Sequence, residues 1–462
     1  MFDYDLLVIG AGPGGQTAAL RAARLGKKVA VVEAREPGGT CVNRGCVSTK
    51  TLLHSSSLYR AAAEGASVGV HCEGLRADLS EIFQNKRRVA QTLSQGVESM
   101  FRSAKIALIR GRAKVLAPHR VAVAQPDGTS AELTADAILL ATGAVPMRLP
   151  LPGMDLDGVI TSEELLEGPE RLYRSLVIVG GGVIGIEFAC FFSDLGCEVT
   201  ILEGLERLLP MLDRELGQNL ALILKKRGVR VCTGALVEGL DRTEEGLRVR
   251  FSVKGKADAV TGEAVLCAVG RRAAWEGLFA EGLRPELDGR ILKVDDRYAT
   301  SIPSVYAIGD LASQTQLAHV ASAQGQAFAE LLCGQEARVD MSIVPSCVYC
   351  RPEIAVVGLT EAEVKAAGIP VKTGKCVLGG NARTIIEDPG RCFMKVLAHS
   401  ETGAILGAQL MCPNAPDMIG QIGQAIANGM GPRQLLRAMR PHPSFEEALT
   451  EALEDLANKL EK

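Results

Sequence analysis

The run Asp5-Leu6-Leu7-Val8-Ile9-Gly10-Ala11-Gly12-Pro13-Gly14-Gly15 decides the architecture of this chain. An apolar stretch meets a glycine cluster. An alanine-rich segment from Gln16 to Leu25 follows, then a second apolar run, Val29-Ala30-Val31-Val32, ending at Glu33. Short continuous apolar runs predict parallel strands covered on both faces. The order strand, G-x-G-x-x-G, helix, strand, acid predicts a dinucleotide-binding turn. Gly10 permits the tight turn, Gly12 lets backbone approach a pyrophosphate, and Gly15 lets helix and strand pack. The helix N-terminus offers partial positive charge to that pyrophosphate, and Glu33 can accept ribose hydroxyls.

Just beyond lies Gly38-Gly39-Thr40-Cys41-Val42-Asn43-Arg44-Gly45-Cys46-Val47-Ser48-Thr49-Lys50. In an ideal helix, residues five apart have Cα atoms about 8–9 Å apart, too far for an S–S bond. Cys41 and Cys46 can join only if the segment bends, and Gly45 supplies that freedom. Such a disulfide opens more readily than a structural one. The alternative is two unrelated buried thiols, since free cysteine packs as a small hydrophobe. The place of the pair, directly after a nucleotide fingerprint, favours a redox disulfide beside a cofactor.

The fingerprint then recurs. Leu176-Val177-Ile178-Val179 leads to Gly180-Gly181-Gly182-Val183-Ile184-Gly185, a helix, and Val199-Thr200-Ile201-Leu202-Glu203. Two nucleotide sites are implied. Glu203 suits a free 2′-hydroxyl and repels a 2′-phosphate, with Glu206 adding to the repulsion, so NAD is favoured over NADP. Between the two units the pattern predicts a helix from Asp78 to Ser103, a β-meander from Ile106 to Leu133, and a separate buried strand at Ala137–Leu140 before Ala141-Thr142-Gly143. A proline-rich loop, Pro146–Pro152, marks a boundary. Ala264–Gly270 closes the second unit. Tyr306-Ala307-Ile308-Gly309-Asp310 is a strand ending in an acid placed to bind a sugar or ribityl hydroxyl. Leu317-Ala318-His319 opens a helix, and 346–462 reads as an α+β domain without a fingerprint, suited to an interface. The expected fold is therefore α/β, with two Rossmann-like dinucleotide-binding domains and a C-terminal α+β dimerisation domain.

Composition removes several other functions. A net charge of −3 gives no electrostatic case for nucleic acid or an anionic membrane. Aromatic residues at 4% disfavour base-stacking surfaces. Thirteen cysteines, an odd number spread over 462 residues, argue against a secreted disulfide framework and for a reducing compartment. No leader or membrane-spanning run is evident, and a cytoplasmic protein is expected. Of six histidines, His442 stands out between Pro441 and Pro443, with Glu447 near enough to hold one ring nitrogen. Dithiol exchange needs such a base to form a thiolate, although an exposed loop histidine is an equally good reading of the octet alone.

Together these motifs resemble the flavin-dependent pyridine nucleotide–disulfide oxidoreductases along essentially the whole chain. The likeness rests on GGTCVNRGCVSTK, both G-x-G-x-x-G units, ATG at 141–143, YAIGD ending at Asp310, LAH at 317–319, RPEIAVVGLTE from Arg351 and HPSFEE from His442. It is nearest to the branch that oxidises dihydrolipoyl groups, borne on a partner protein, with NAD⁺. The resemblance implies domains at 1–147 (FAD-binding), 148–270 (NAD-binding), 271–345 (return to the FAD and central region) and 346–462 (interface). It assigns FAD to Gly10, Gly12, Gly14, Gly15, Glu33, Gly39, Thr40, Lys50, Ala113, Thr142, Gly143, Asp310 and Ala318. It assigns NAD to Gly180, Gly182, Gly185, Glu187, Glu203, Val237 and Gly270. Cys46 would face the flavin and Cys41 would exchange with substrate. Lys50 would sit near the flavin, paired with Glu187. His442 with Glu447 would be the base, delivered by the other subunit of a homodimer, with a cis His442–Pro443 bond.

The departures are few. Ser48 replaces a proline common in the family, which is expected to loosen the turn after Cys46. The chain ends without a second cysteine pair, against the mercuric and large thioredoxin reductase branches, and Glu203 counts against glutathione reductase. Cys347-x-x-Cys350 has no partner pair for zinc, so no metal is expected and both read as structural thiols. Two rivals stand beside this reading: a reductase of another disulfide or small oxidant, and an assembly subunit of a lipoyl-bearing complex.

Overall fold

The computed structural model describes residues 1–168 and 171–462. Its first sheet is built on strand β1 (Tyr4–Ile9), helix α1 (Pro13–Arg24) and strand β2 (Val29–Glu33), with β1 and β2 parallel in the register Val8↔Val31. Leu6 to Ile9 are buried in unbroken succession, because both faces of the sheet are covered. Leu7 and Ile9 face a cluster with Val115, Val121 and Val123; Leu6 and Val8 face Ala18, Ala19 and Ala22 of α1 together with Phe101 and Phe328.

After β2 come α2 (Gly39–Arg44), α3 (Cys46–Glu64) and α4 (Leu79–Ser103), the last capped by the Asp78 carboxylate, which accepts from Glu81 N–H. The following strands differ from the expected meander. Strand β3 (Ala107–Arg110) joins β2 in parallel, with Val32 opposite Ile109, so it extends the nucleotide sheet. Strands β4 (Arg112–Ala117) and β5 (Arg120–Ala124) do form antiparallel ribbons, but β6 runs without interruption from Ser130 to Leu140. Its first half pairs antiparallel with β5 and its second half parallel with β1. No glycine or proline separates Leu133 from Ala137, so nothing in the backbone ends the strand there.

A second parallel sheet repeats the plan, in the order 230–233, 198–203, 175–179, 264–267, 159–161. The repetition holds at the glycines. Gly10 and Gly180 have φ of +107° and +112°, and a Cβ on either would lie 2.4 Å from the carbonyl oxygen of the residue after the adjacent strand, Ala141 or Ala268. The segment 271–273 then pairs with 144–146, and Val305–Ala307 adds to the first sheet beside β6. The helix Ala318–Leu332 packs on α1 so closely that a Cβ on Gly325 would stand 2.3 Å from the Gly14 carbonyl oxygen.

The remaining chain forms a five-stranded antiparallel sheet in the order 346–348, 354–358, 405–411, 393–399, 371–377, covered by helices 415–427 and 447–460. Buried Lys395 of this sheet reaches Asp213 of the second module, Nζ to Oδ2 2.9 Å, tying the two together. Among the described residues no helix is long and apolar enough to cross a membrane. Because Gly325 has no room for a methyl group, Gly325→Ala is expected to destabilise the protein by about 1–3 kcal/mol, as overpacking does. Thermal unfolding checks this, and an unchanged midpoint contradicts it.

Candidate active site

Gly45 divides the two cysteines between two helices. Cys41 lies in α2 and Cys46 is the first residue of α3, with Gly45 at φ −154° and ψ −121°. A Cβ there would lie 2.9 Å from the Thr40 carbonyl oxygen, so the bend needs glycine for its close approach. Both sulfurs are thiols in the structure and stand near disulfide distance. They are not equivalent. The Cys41 thiol donates to Cys46; with the Lys50 ammonium this outweighs desolvation and the nearby Glu187 carboxylate, holding Cys46 well below the usual thiol range. Cys41 is pushed up, because its proton bonds Cys46 and because it is partly buried.

Beside the sulfurs, Lys50 of α3 meets Glu187 of helix Val183–Asp194, Nζ lying 2.8 and 2.7 Å from the two carboxylate oxygens. The carboxylate is buried, and it also accepts the Tyr349 backbone N–H at 3.1 Å. The Tyr349 ring lies under the ammonium, 4.6 Å from centroid to Nζ. Farther along the same helices, Arg60 bonds Asp194 at 2.8 Å. Two ties thus fix α3 on the second module.

One continuous cavity of about 2000 Å³ joins these groups to both glycine turns. It is lined by Gly10, Gly12, Gly14, Glu33, Gly39, Thr40, Cys41, Cys46, Lys50, Ala113, Thr142, Gly143, Asp310 and Ala318 on the first module's side. Gly180, Gly182, Glu187, Glu203, Val237 and Gly270 line the other. Gly15 and Gly185 do not line it; they pack against Gly10 O and Gly180 O, where a Cβ would lie at 2.0 and 2.1 Å.

The lining fits two dinucleotides. Glu33 is fixed by Ala11 N–H at 2.7 Å and Arg35 N–H at 2.8 Å, leaving the remaining lone pairs of its carboxylate for hydroxyl donors. Glu203 repeats the arrangement, with Gly181 N–H at 2.5 Å and Leu205 N–H at 2.7 Å. Gly12 leaves open backbone, the nearest atom to a Cβ there being Gly39 Cα at 4.0 Å. Asp310 faces the cavity with no side-chain hydrogen-bond partner among the described residues, and burial raises it. An unpaired acid there suits a polyhydroxyl chain.

His442 and Glu447 lie elsewhere. His442 Nδ1 is 2.8 Å from Glu447 Oε1, and Ser444 N–H donates to Oε2 at 2.9 Å. The imidazole is 72% exposed and does not line its own chain's cavity. The His442–Pro443 bond is cis. Glu447 is held below the usual carboxylate range, first by Ser444 N–H and then by His442.

The sequence reading missed Tyr349, whose only signal was its place between the two cysteines of Cys347-x-x-Cys350. That pair does not converge: Cys347 lines the cavity and packs against the interface core, while Cys350 is buried in another core. Among the described residues no cluster of three or more His, Cys, Asp or Glu side chains could hold a metal. Ser48, at the position where the family commonly has proline, has a buried hydroxyl 3.0 Å from Val42 O and 2.9 Å from Asn43 O.

In the reduced protein, Cys46 should reach half its maximal rate with iodoacetamide at a pH clearly below that of free cysteine, since only the thiolate attacks and it forms above the midpoint. Mass spectrometry of the Cys46 adduct against pH tests this; a midpoint near that of free cysteine contradicts it.

Comparison with known proteins agrees with the geometry. Residues 4–325 match the family model "Pyridine nucleotide-disulphide oxidoreductase", and residues 344–453 match the dimerisation domain of the same family. The chain is 35% identical to the dihydrolipoyl dehydrogenase of Bacillus subtilis (strain 168), covering 97% of each. It is 37% identical to dihydrolipoyl dehydrogenase 3 of Pseudomonas aeruginosa, covering 99% of this chain and 98% of the relative. Among solved structures it superposes on LpdA of Mycobacterium tuberculosis with a TM-score of 0.89 at 29% identity, covering 97% of this chain and 99% of that one. It also superposes on the HOCl-induced flavoprotein disulfide reductase RclA of Escherichia coli, determined as a Cu(II) complex, with a TM-score of 0.87 at 28% identity, covering 98% and 99%. With two cradles, a dithiol between them and a matched dimerisation domain, the chain belongs to the pyridine nucleotide–disulfide oxidoreductases, the FAD- and NAD-dependent enzymes of disulfide exchange.

Proposed function

We propose that this protein is a cytoplasmic, homodimeric dihydrolipoyl dehydrogenase, divided as 1–147, 148–270, 271–345 and 346–462, which oxidises the dihydrolipoyl group of a partner protein with NAD⁺. The observation that carries the reading is the unequal sulfur pair, Cys41 and Cys46, beside the Lys50–Glu187 contact in a cavity that reaches both nucleotide cradles. The full-length relatives named dihydrolipoyl dehydrogenase support the choice of substrate.

His442 of a second copy, its Nδ1 side held by Glu447, takes a proton from one substrate thiol. The resulting thiolate attacks Cys41 of the closed disulfide, and Cys46 leaves as a thiolate. The second substrate thiol, once deprotonated, attacks the mixed disulfide; Cys41 departs and the substrate ring closes. The substrate dithiol is thereby oxidised and the Cys41–Cys46 disulfide reduced. When bound, FAD supplies what the side chains lack, the passage of that electron pair from the dithiol to NAD⁺. Lys50 holds positive charge beside Cys46, and Glu187 keeps the lysine in place. Glu33 and Asp310 orient the first nucleotide through hydroxyls; Glu203 does so for the second and repels a 2′-phosphate.

The likeness to RclA favours a second reading, reduction of another disulfide or a small oxidant. NADH oxidation compared across lipoamide, oxidised glutathione and quinones separates the two, and lipoamide should be preferred. An assembly role alone would survive Cys41→Ser and Cys46→Ser. His442→Ala should lower lipoamide turnover by about 10²–10⁴-fold while NADH still bleaches the yellow enzyme. Retained turnover removes the base assignment. Glu203→Ala should narrow the preference for NADH over NADPH, read from the ratio of the two kcat/KM values, and an unchanged ratio counts against that role.

A further inference from the structure

The two helices that carry the sulfurs are joined only by Gly45, and glycine leaves the angle between them free. Something else must hold it. The last turn of α2 is tied back to its own start: Asn43 Nδ2 donates to the carbonyl oxygens of Gly39, the first residue of the helix, at 3.0 Å and of Pro37, in the loop before it, at 3.1 Å. The beginning of α3 must then be brought to α2. The last carbonyls of a helix have no partner within it. Two of these, Val42 O and Asn43 O, lie 3.0 and 2.9 Å from Ser48 Oγ, which occupies the first turn of α3. Ser48 is 0% exposed, so water does not stand in for the hydroxyl. The side chain touches neither sulfur in these hydrogen bonds; it works on the backbone that presents them.

We propose that Ser48 is a positioning residue of the redox centre: its hydroxyl latches the first turn of α3 to the last turn of α2 and so sets the approach of Cys41 to Cys46. The hydrogen bond from the Cys41 thiol is the leading cause of the stabilised Cys46 thiolate, so loosening the latch weakens that bond first. Closure of the disulfide weakens with it, because two thiols held less closely have a lower effective concentration toward each other. The inference rests on the Cys41–Cys46 pair being the redox centre and is independent of which substrate is oxidised.

The test uses the whole enzyme and two readouts that need no turnover. One is the pH profile of Cys46 alkylation by iodoacetamide in the reduced enzyme. The other is the equilibrium with dithiothreitol, in which the two protein thiols are oxidised to the disulfide as oxidised dithiothreitol is reduced. Ser48→Ala is expected to raise the Cys46 midpoint by about one pH unit, leaving roughly a tenth of the thiolate at a pH below both midpoints. The equilibrium should move several-fold toward the protein dithiol. Ser48→Thr keeps a hydroxyl and should retain the wild-type profile and equilibrium. If the alanine variant matches wild type in both readouts, the latch does not exist. If the threonine variant shifts as far as the alanine one, buried volume rather than the hydroxyl sets the turn, and the proposal is equally overturned.

Discussion

The contact between Lys50 and Glu187 is the constraint on which the site depends. A buried carboxylate without a partner is costly, and removing one member of such a pair leaves the other uncompensated. Glu187 finds its partner only when α3 of the first module lies on helix 183–194 of the second. Docking the modules and setting the charge beside Cys46 are therefore the same event. The Tyr349 backbone, from the interface domain, completes the coordination of that carboxylate. Three parts of the chain meet at one acid.

Much of this was legible in the sequence because the nucleotide turns are short-range devices. The spacing of Gly10, Gly12 and Gly15 is written in a six-residue stretch, even though Gly10 is crowded by Ala141, and an acid at a strand end is placed by the strand. The repeated unit at Gly180–Gly185 was legible for the same reason. The cavity linings at Ala113, Val237 and Ala318 came instead from family resemblance, since nothing local distinguishes those residues. Tyr349 was hidden because its role depends on a ring meeting an ammonium from a segment some three hundred residues earlier, and no periodicity encodes that. At Ser48 the sequence shows the missing proline but not the acceptors of the hydroxyl, which come within reach only once the chain turns back on itself.

The sulfurs also show how position divides labour between identical side chains. Cys46 sits at the start of α3 with a lysine one turn along, whereas Cys41 sits inside α2 and keeps its proton, donating it in a hydrogen bond to Cys46. No difference in residue type was needed to make one the stable thiolate and the other the partner. His442 obeys a different logic. Held by Glu447 but away from its own chain's cavity, it can serve as the proposed base only if a second copy, through the matched dimerisation domain, brings it there.

Strand β6 carries a consequence of another kind. Because one unbroken strand belongs to an antiparallel ribbon at one end and to the parallel sheet at the other, the two ladders share a backbone. Opening the ribbon at Leu133 strips support from Ala135 and from the residues facing β1. The ribbon and the sheet are then expected to exchange their amide protons as one cooperative unit rather than as a loose flap on a firm core. Thr142 and Gly143 follow directly from that strand, so this wall of the first cradle inherits the rigidity of both ladders.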